Sequence, residues 1–154
     1  MSKPRVIEYD AEYLNLNEIF DVNEPNEINE QYLLTDEKHV YAGRHLLFDF
    51  LGSPFIRNSH FIEECLINSV KSAGATILHT HFHHFGEEGG ITGVLVLEES
   101  HASVHTWTEA NLMTFDVYMC GHSNPERAYE YLKETLQPKE IHILPTRRGI
   151  VRSF

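Results

Sequence analysis

The sequence predicts an α+β domain, a two-layer sandwich with two helices on one face of a largely antiparallel sheet. Three observations predict it. Several short stretches carry the apolar alternation or apolar run of strands, two longer ones carry helical periodicity, and 154 residues suit one domain. At 42% hydrophobic and 23% charged, the chain has the composition of a globular protein with a core.

Residues 1–38 hold ten acids and three bases, which is −7 of a formal charge of −11. The stretch Asp21 to Glu37, rich in Asn, Glu and Asp, reads as a solvated loop or a weakly structured arm. Arg44 to Leu51 reads as a short apolar strand. Over residues 59–73, Ile62, Cys65, Leu66, Ser69 and Val70 fall at i, i+3, i+4, i+7 and i+8, an amphipathic helix with Gly74 as terminator. Ala75 to His83 alternates, which sets Ile77, His79, His81 and His83 on one strand face. Gly86 to Gly90 is a loop with two acids, and Ile91 to Leu97, apolar on both faces, reads as a central strand. Glu98-Glu99-Ser100-His101 breaks that run, and Ser103 to Trp107 is its return. Met113, Phe115, Val117 and Met119 alternate with Thr114, Asp116, Tyr118 and Cys120, a half-buried strand. Ser123-Asn124-Pro125-Glu126 reads as a capping box opening a helix to about Leu136, and Ile141 to Leu144 supplies a last strand.

The acidic balance argues against a nucleic-acid binder, which needs a basic face to neutralise phosphates. Two cysteines cannot build a disulfide framework, so a cytoplasmic, reducing compartment is expected. No stretch reaches the apolar length of a membrane span, and the start, Met1-Ser2-Lys3-Pro4, has no apolar signal segment.

Eleven histidines invite a metal reading first. His79, His81 and His83 followed by Glu87 offer imidazole and carboxylate ligands suited to zinc or iron. The His81-x-His83-x3-Glu87 spacing resembles the first motif of cupin metal sites, but the second motif and the glycine-punctuated barrel are missing. The other reading of these residues is a polar strand face with one or two members lining a pocket. A second candidate is Ser100 with His105, a serine and histidine of the nucleophile type, though no Gly-x-Ser-x-Gly elbow surrounds the serine. The plain alternative is a hairpin turn with a polar tip. The third candidate is Cys120, which alternation places with Asp116 and Tyr118 on the polar face and Gly121 leaves open to close backbone approach. Cys65, on the apolar face of its helix, reads as structural.

Together, Glu98-Glu99-Ser100-His101-x3-His105-Thr106-Trp107-x-Glu109 and Asp116-x3-Cys120-Gly121 resemble the signature of the prokaryotic S-adenosylmethionine decarboxylase proenzymes, which are pyruvoyl-dependent. Gly43-Arg44-His45-Leu46, Ser72 to Thr76 and Phe82-His83-His84-Phe85 also match, so the resemblance runs from about Gly43 to Gly149. It divides the chain into an acidic arm, residues 1–38, outside the match, and a decarboxylase domain, residues 39–154, self-cleaved between Glu99 and Ser100.

The resemblance implies a chain that makes its own cofactor. The Ser100 hydroxyl would attack the Glu99 carbonyl, and elimination from the ester would leave a pyruvoyl group at position 100. His105 would be the processing base. Thr92 stands where the family usually has a serine assisting that step; it keeps the hydroxyl and adds a stiff methyl. The pyruvoyl ketone would form a Schiff base with the substrate amine and accept the electrons left by carbon dioxide. Cys120 would return a proton to the α-carbon. Phe85 and His105 would stack on adenine and Glu109 would bind the ribose, although the Gly86–Gly90 loop is one residue longer than in relatives. No metal is required. The implied product is decarboxylated S-adenosylmethionine, the aminopropyl donor for spermidine synthesis. The implied assembly is a homodimer of processed chain pairs, four layers thick in the order αββα, with residues of both protomers lining each site. Two alternatives stand beside it: a pyruvoyl decarboxylase of the same family acting on arginine or ornithine, and an inactive relative that binds a partner decarboxylase.

Overall fold

Alternation along the strands decides the architecture, because it gives one sheet face apolar enough to need a cover. The computed structural model describes residues 3–9, 33–86 and 89–154. Its elements are β1 (Arg5–Glu8), β2 (Leu34–Thr35), β3 (His39–Leu51), α1 (Ser59–Ser72), β4 (Ile77–His84), β5 (Ile91–Leu97), β6 (Ser100–Trp107), β7 (Leu112–Cys120), α2 (Pro125–Leu136) and β8 (Glu140–Ser153). The strands form one sheet in the order β1-β8-β3-β7-β6-β5-β4, with β2 paired to β3. Every pairing is antiparallel except β1 with β8. The expected α+β sandwich is therefore the observed one, with more and longer strands.

Both helices lie on one face. Ile62, Cys65, Leu66, Ser69 and Val70 of α1 and Ala128, Tyr129, Leu132 and Leu136 of α2 are buried as their spacing requires. They meet Leu46, Phe48, Phe50, Leu95, Leu97, Val104, Phe115, Val117 and Met119 from the sheet. An aromatic group anchors the centre: Phe48 stacks on Phe115 at 5.1 Å between ring centroids and meets Tyr129 edge-on at 5.2 Å. Burial pushes the Cys65 thiol up to about 11, with the Glu64 charge adding to it, so this cysteine is a packing residue.

Gly74, at φ +81°, ends α1 as expected, its N–H bonded to the Lys71 carbonyl. The cap of α2 differs from the expected box. Asn124 is the N-cap, accepting the Arg127 N–H at 3.3 Å, while Ser123 is buried and donates to the Gly74 carbonyl. Pro125 fixes this phase, because it occupies the first helical position, where a missing N–H costs nothing. Glu126, then, is not a capping side chain but pairs with Arg44 at 2.9 Å.

Three further differences concern the sheet. First, β3 starts at His39 and β8 continues to Ser153, and the two pair over nearly their whole length. The outer half of β8 is polar and mostly exposed, so an apolar run understates it, while the added start of β3 buries Val40 and Tyr41. Second, part of the acidic arm is sheet: Arg5–Glu8 joins the free edge of β8, and Leu34–Thr35 forms a hairpin with β3. Asp36 closes that hairpin by accepting the Lys38 and His39 N–H groups and an Arg147 side-chain bond. The rest of the Asp21–Glu37 expectation lies outside the described residues. Third, a bulge in β4 between Ile77 and His79 reverses the alternation. Ile77 packs on the core, whereas His79, His81 and His83 face the other way, so they do not share a face with Ile77 as expected.

That other face, called the open face below, carries no helix among the described residues. Strand β5 is flanked on both sides, as its apolar character predicted. Its second face is nevertheless exposed, with Val94 and Val96 40% and 43% accessible.

Candidate active site

The Glu98-Glu99 turn joins β5 to β6 as a two-residue hairpin, with Leu97 opposite Ser100. The hairpin is tied down on both sides. Thr76, just before β4, donates its N–H to the Glu99 carboxylate at 2.9 Å and accepts the Glu98 N–H through its carbonyl. On the other side, the Cys120 N–H donates to the Glu99 carbonyl oxygen at 3.1 Å. That contact polarises the carbonyl on the Glu99–Ser100 peptide bond and lies where negative charge grows when a nucleophile adds to it.

Ser100 itself has φ +150°, a region that residues with a Cβ rarely adopt. By register it would turn inward beside Leu97 and Met119, yet its hydroxyl lies 3.3 Å from His101 Nδ1, and His101 is on the open face. The peptide bond after Glu99 thus combines a polarised carbonyl, an adjacent hydroxyl and a strained backbone. Cys120 shares the open face with Asp116 and Tyr118, as alternation predicted. Gly121 does something other than expected: at φ +61° with open space around its Cα, it makes the turn after β7 and brings no backbone close.

A polar network that sequence reasoning did not assign lies next to Ser100 and Cys120. His45, 7% exposed, bonds through Nε2 to Asp116 at 2.9 Å and through Nδ1 to the Arg148 guanidinium at 3.4 Å. A guanidinium can only donate, so Nδ1 accepts and Nε2 carries the proton. Burial holds the His45 imidazole below its ordinary pKa, against the raising pull of Asp116. The rings of His45, His101 and Tyr118 lie within 6.0 Å of one another, and Arg148 sits over Tyr118 at 5.2 Å. His45 and Asp116 both stood in the matched segments, but nothing in the sequence showed that β3 pairs with β7 and brings them into contact.

The remaining predicted residues gather at the opposite end of the open face. Thr92 of β5 is opposite His105 of β6. His105 lies 6.2 Å from Phe85 and 4.2 Å from Trp107, and Phe85 meets His83 at 4.6 Å. Phe85 is half exposed, and Glu109, past the end of β6, is exposed. Within one chain these groups do not reach Ser100. Five residues of extended strand separate Ser100 from His105, about 16 Å. The two are therefore not a nucleophile pair inside one protomer.

The metal reading also changes. His79, His81 and His83 are exposed on the open face, and no ligand cluster includes them among the described residues. Glu87 lies outside the described residues. A cavity of about 690 Å³ bordered by Gly52, Ser53, Asn111 and Lys133 contains none of the predicted site residues. The described helices include none long and apolar enough to cross a membrane.

Comparison with known proteins agrees with this geometry. The family model described as S-adenosylmethionine decarboxylase matches residues 44–149. The chain is 37% identical over 112 residues to the S-adenosylmethionine decarboxylase proenzyme of Methanococcus maripaludis, a match covering 71% of this chain and 91% of that protein. To the proenzyme of the same name from Persephonella marina it is 42% identical, covering 71% and 84%. The crystal structure of the adenosylmethionine decarboxylase from Aquifex aeolicus superimposes with a TM-score of 0.63 at 40% identity, covering 71% of this chain and 92% of that one. With the family model spanning most of the sheet and both helices, and relatives of this identity matched over nearly their full length, the chain belongs to the S-adenosylmethionine decarboxylase family.

Proposed function

We propose that this chain is a self-processing, pyruvoyl-dependent decarboxylase that converts S-adenosylmethionine to decarboxylated S-adenosylmethionine, the aminopropyl donor for spermidine synthesis. The observation that carries the proposal is the Glu99–Ser100 hairpin, where the Cys120 N–H binds the carbonyl to be attacked and Ser100 is strained. The Ser100 hydroxyl adds to the Glu99 carbonyl, and the C–N bond breaks to leave an ester. Removal of the Ser100 Cα proton expels Glu99 as a carboxylate and leaves a double bond at position 100. Hydrolysis of the imine form consumes one water and releases ammonia, giving residues 1–99 and a second chain whose first residue is a pyruvoyl group. That group supplies an electrophilic carbonyl that takes up the substrate amine and the electrons left by carbon dioxide.

In this reading His105 takes the Cα proton and Thr92 assists processing, and both must come from a second copy. Ser100 and Cys120 lie at one end of the open face, and Thr92, His105, Phe85 and Glu109 lie at the other. Two copies packed open face to open face, related by a two-fold axis across the strands, would set each end over the other. The exposed Val94, Val96 and Trp107 give such a contact its apolar surface, and the result is a four-layer αββα homodimer. Phe85 and His105 then form the adenine slot, Glu109 takes the ribose hydroxyls, and Cys120 returns the proton to the substrate α-carbon. Two reduced cysteines suit a cytoplasmic setting.

Intact-mass measurement tests the reading. Purified wild-type protein should appear as two chains, and Ser100→Ala as one uncut chain. His105→Ala should be uncut alone and become cut when co-expressed with Ser100→Ala, which supplies His105 from the partner subunit. Failure of that rescue would overturn the shared site, and an uncut wild-type chain would overturn self-processing. Carbon dioxide release from arginine or ornithine but not from S-adenosylmethionine would overturn the substrate.

A further inference from the structure

On the helix face, away from the catalytic surface, His60 and Glu63 of α1 and His84 of β4 bring one ligand atom each to within 4.8 Å of the others. We propose that these three side chains form a binding site for a divalent transition metal of the zinc type, clamping the start of α1 to the end of β4.

His60 and Glu63 are three residues apart on α1, so they share one helix face. The turn that carries them is itself fixed, since the Asn58 side chain caps it by accepting the Phe61 N–H at 3.1 Å. His84 reaches them because the β4 bulge turns it toward the helices. Its Nε2 lies 2.8 Å from the Glu63 carboxylate and its Nδ1 lies 2.9 Å from the Ser59 hydroxyl. This is the arrangement of a metal-ligating histidine, with one nitrogen aimed at the ligand cluster and the other held by a partner that fixes the ring. The serine hydroxyl can donate or accept. In the metal-free chain Nε2–H donates to Glu63 and the hydroxyl donates to Nδ1. With metal on Nε2, the ring proton moves to Nδ1 and the same hydroxyl accepts it, so a neutral imidazole keeps its single proton.

A Glu63–His84 hydrogen bond accounts for two of the three groups. It does not account for His60, whose ring lies 4.5 Å from that of His84 at 30°, two imidazoles gathered at one carboxylate. Tetrahedral zinc at about 2.1 Å from each ligand wants ligand atoms roughly 3.4 Å apart. The His84–Glu63 contact must open by about half an ångström, and His60, which is exposed, swings inward to close the remainder. Two imidazoles and one carboxylate favour zinc over magnesium or calcium, which prefer oxygen ligands. The fourth position is left to solvent. Phe85 follows His84 directly, so the clamp would hold the chain where the aromatic slot begins.

The test is metal binding by the whole protein, independent of its turnover. After EDTA treatment and desalting, zinc sulfate titrated by calorimetry should bind one equivalent per protomer. Zinc at 100 times its Kd should raise Tm by about 5–10 °C. His60→Ala, a change at an exposed residue, should weaken binding at least tenfold and remove the thermal shift, and Glu63→Gln should weaken it likewise. Cobalt(II) in place of zinc should give the intense visible absorption of a four-coordinate site, lost in His60→Ala. A double variant, His79→Ala with His81→Ala, should bind zinc as the wild type does. The proposal is overturned if the wild type takes up no zinc, if His60→Ala binds equally well, or if the double variant on the open face is the one that loses the metal.

Discussion

If the backbone at Ser100 is strained, replacing that residue should reverse an ordinary stability order. Alanine normally outranks glycine in a strand, because glycine leaves the unfolded chain more freedom to lose, a difference of about 0.4–1 kcal/mol. At φ +150° the Cβ of alanine keeps the strain that serine has, while glycine adopts the conformation freely. Strain of this kind costs about 1–3 kcal/mol. The two effects oppose each other, and the larger wins: Ser100→Gly should be more stable than Ser100→Ala by about 1–2 kcal/mol. For a chain of this size that is a Tm difference of roughly 2–8 °C. Neither variant has a hydroxyl, so both remain uncut and the comparison is between single chains, which intact mass would verify. Thermal unfolding followed by circular dichroism gives the number. Ser103, in the same strand opposite Asp116 and with no positive φ, is the control, and there alanine should outrank glycine. If Ser100→Ala proved as stable as Ser100→Gly or more so, the scissile residue would carry no strain, and hydroxyl and carbonyl alone would have to account for cleavage.

Two other outcomes follow from packing and charge. Because burial holds His45 below its ordinary pKa, the unfolded chain binds a proton near pH 6.5 that the folded chain refuses. The contribution of this residue to stability is whole above that pH and is lost as pH falls toward the folded value. Tm measured from about pH 8 to pH 5 should therefore fall more steeply in the wild type than in His45→Gln, and parallel slopes would contradict the burial argument. Gly93 stands opposite Phe82, and a Cβ there would lie 2.1 Å from the ring. Gly93→Ala must displace Phe82 from the core edge at a cost of about 1–3 kcal/mol, read as a lowered Tm; an unchanged Tm would mean that Phe82 moves freely.

Much of this was legible in the sequence, and the reasons for the rest are local. Apolar spacing alone placed Ile62, Cys65, Leu66, Ser69 and Val70 inside and set Cys120 beside Asp116 and Tyr118, because helix and strand periods are steric facts of the backbone. The β4 bulge was not legible. One extra residue near Leu78 inverts every side chain after it, and that decides whether His84 meets solvent or α1. The extent of β8 escaped for a different reason: past Leu144 it is polar and mostly exposed, so it carries no apolar run to read. Partners across the sheet, such as His45 with Asp116, depend on which strands become neighbours, and periodicity within a strand carries no information on that.

The separation of Ser100 from His105 was available from arithmetic, since five residues of strand cannot fold back on themselves. That arithmetic also gives the open face its logic. A monomer that kept Ser100 and its proposed base in contact would need them on adjacent strands near one end of the sheet. This chain instead places a strained, polarised peptide at one end and the imidazole at the other, on a face whose exposed valines favour pairing with a like surface. Cleavage would then wait for assembly. The hairpin at Glu99 and Ser100 would remain intact in a lone chain and break only when a second copy brings its histidine, so dilution that dissociates the proposed dimer should also slow processing.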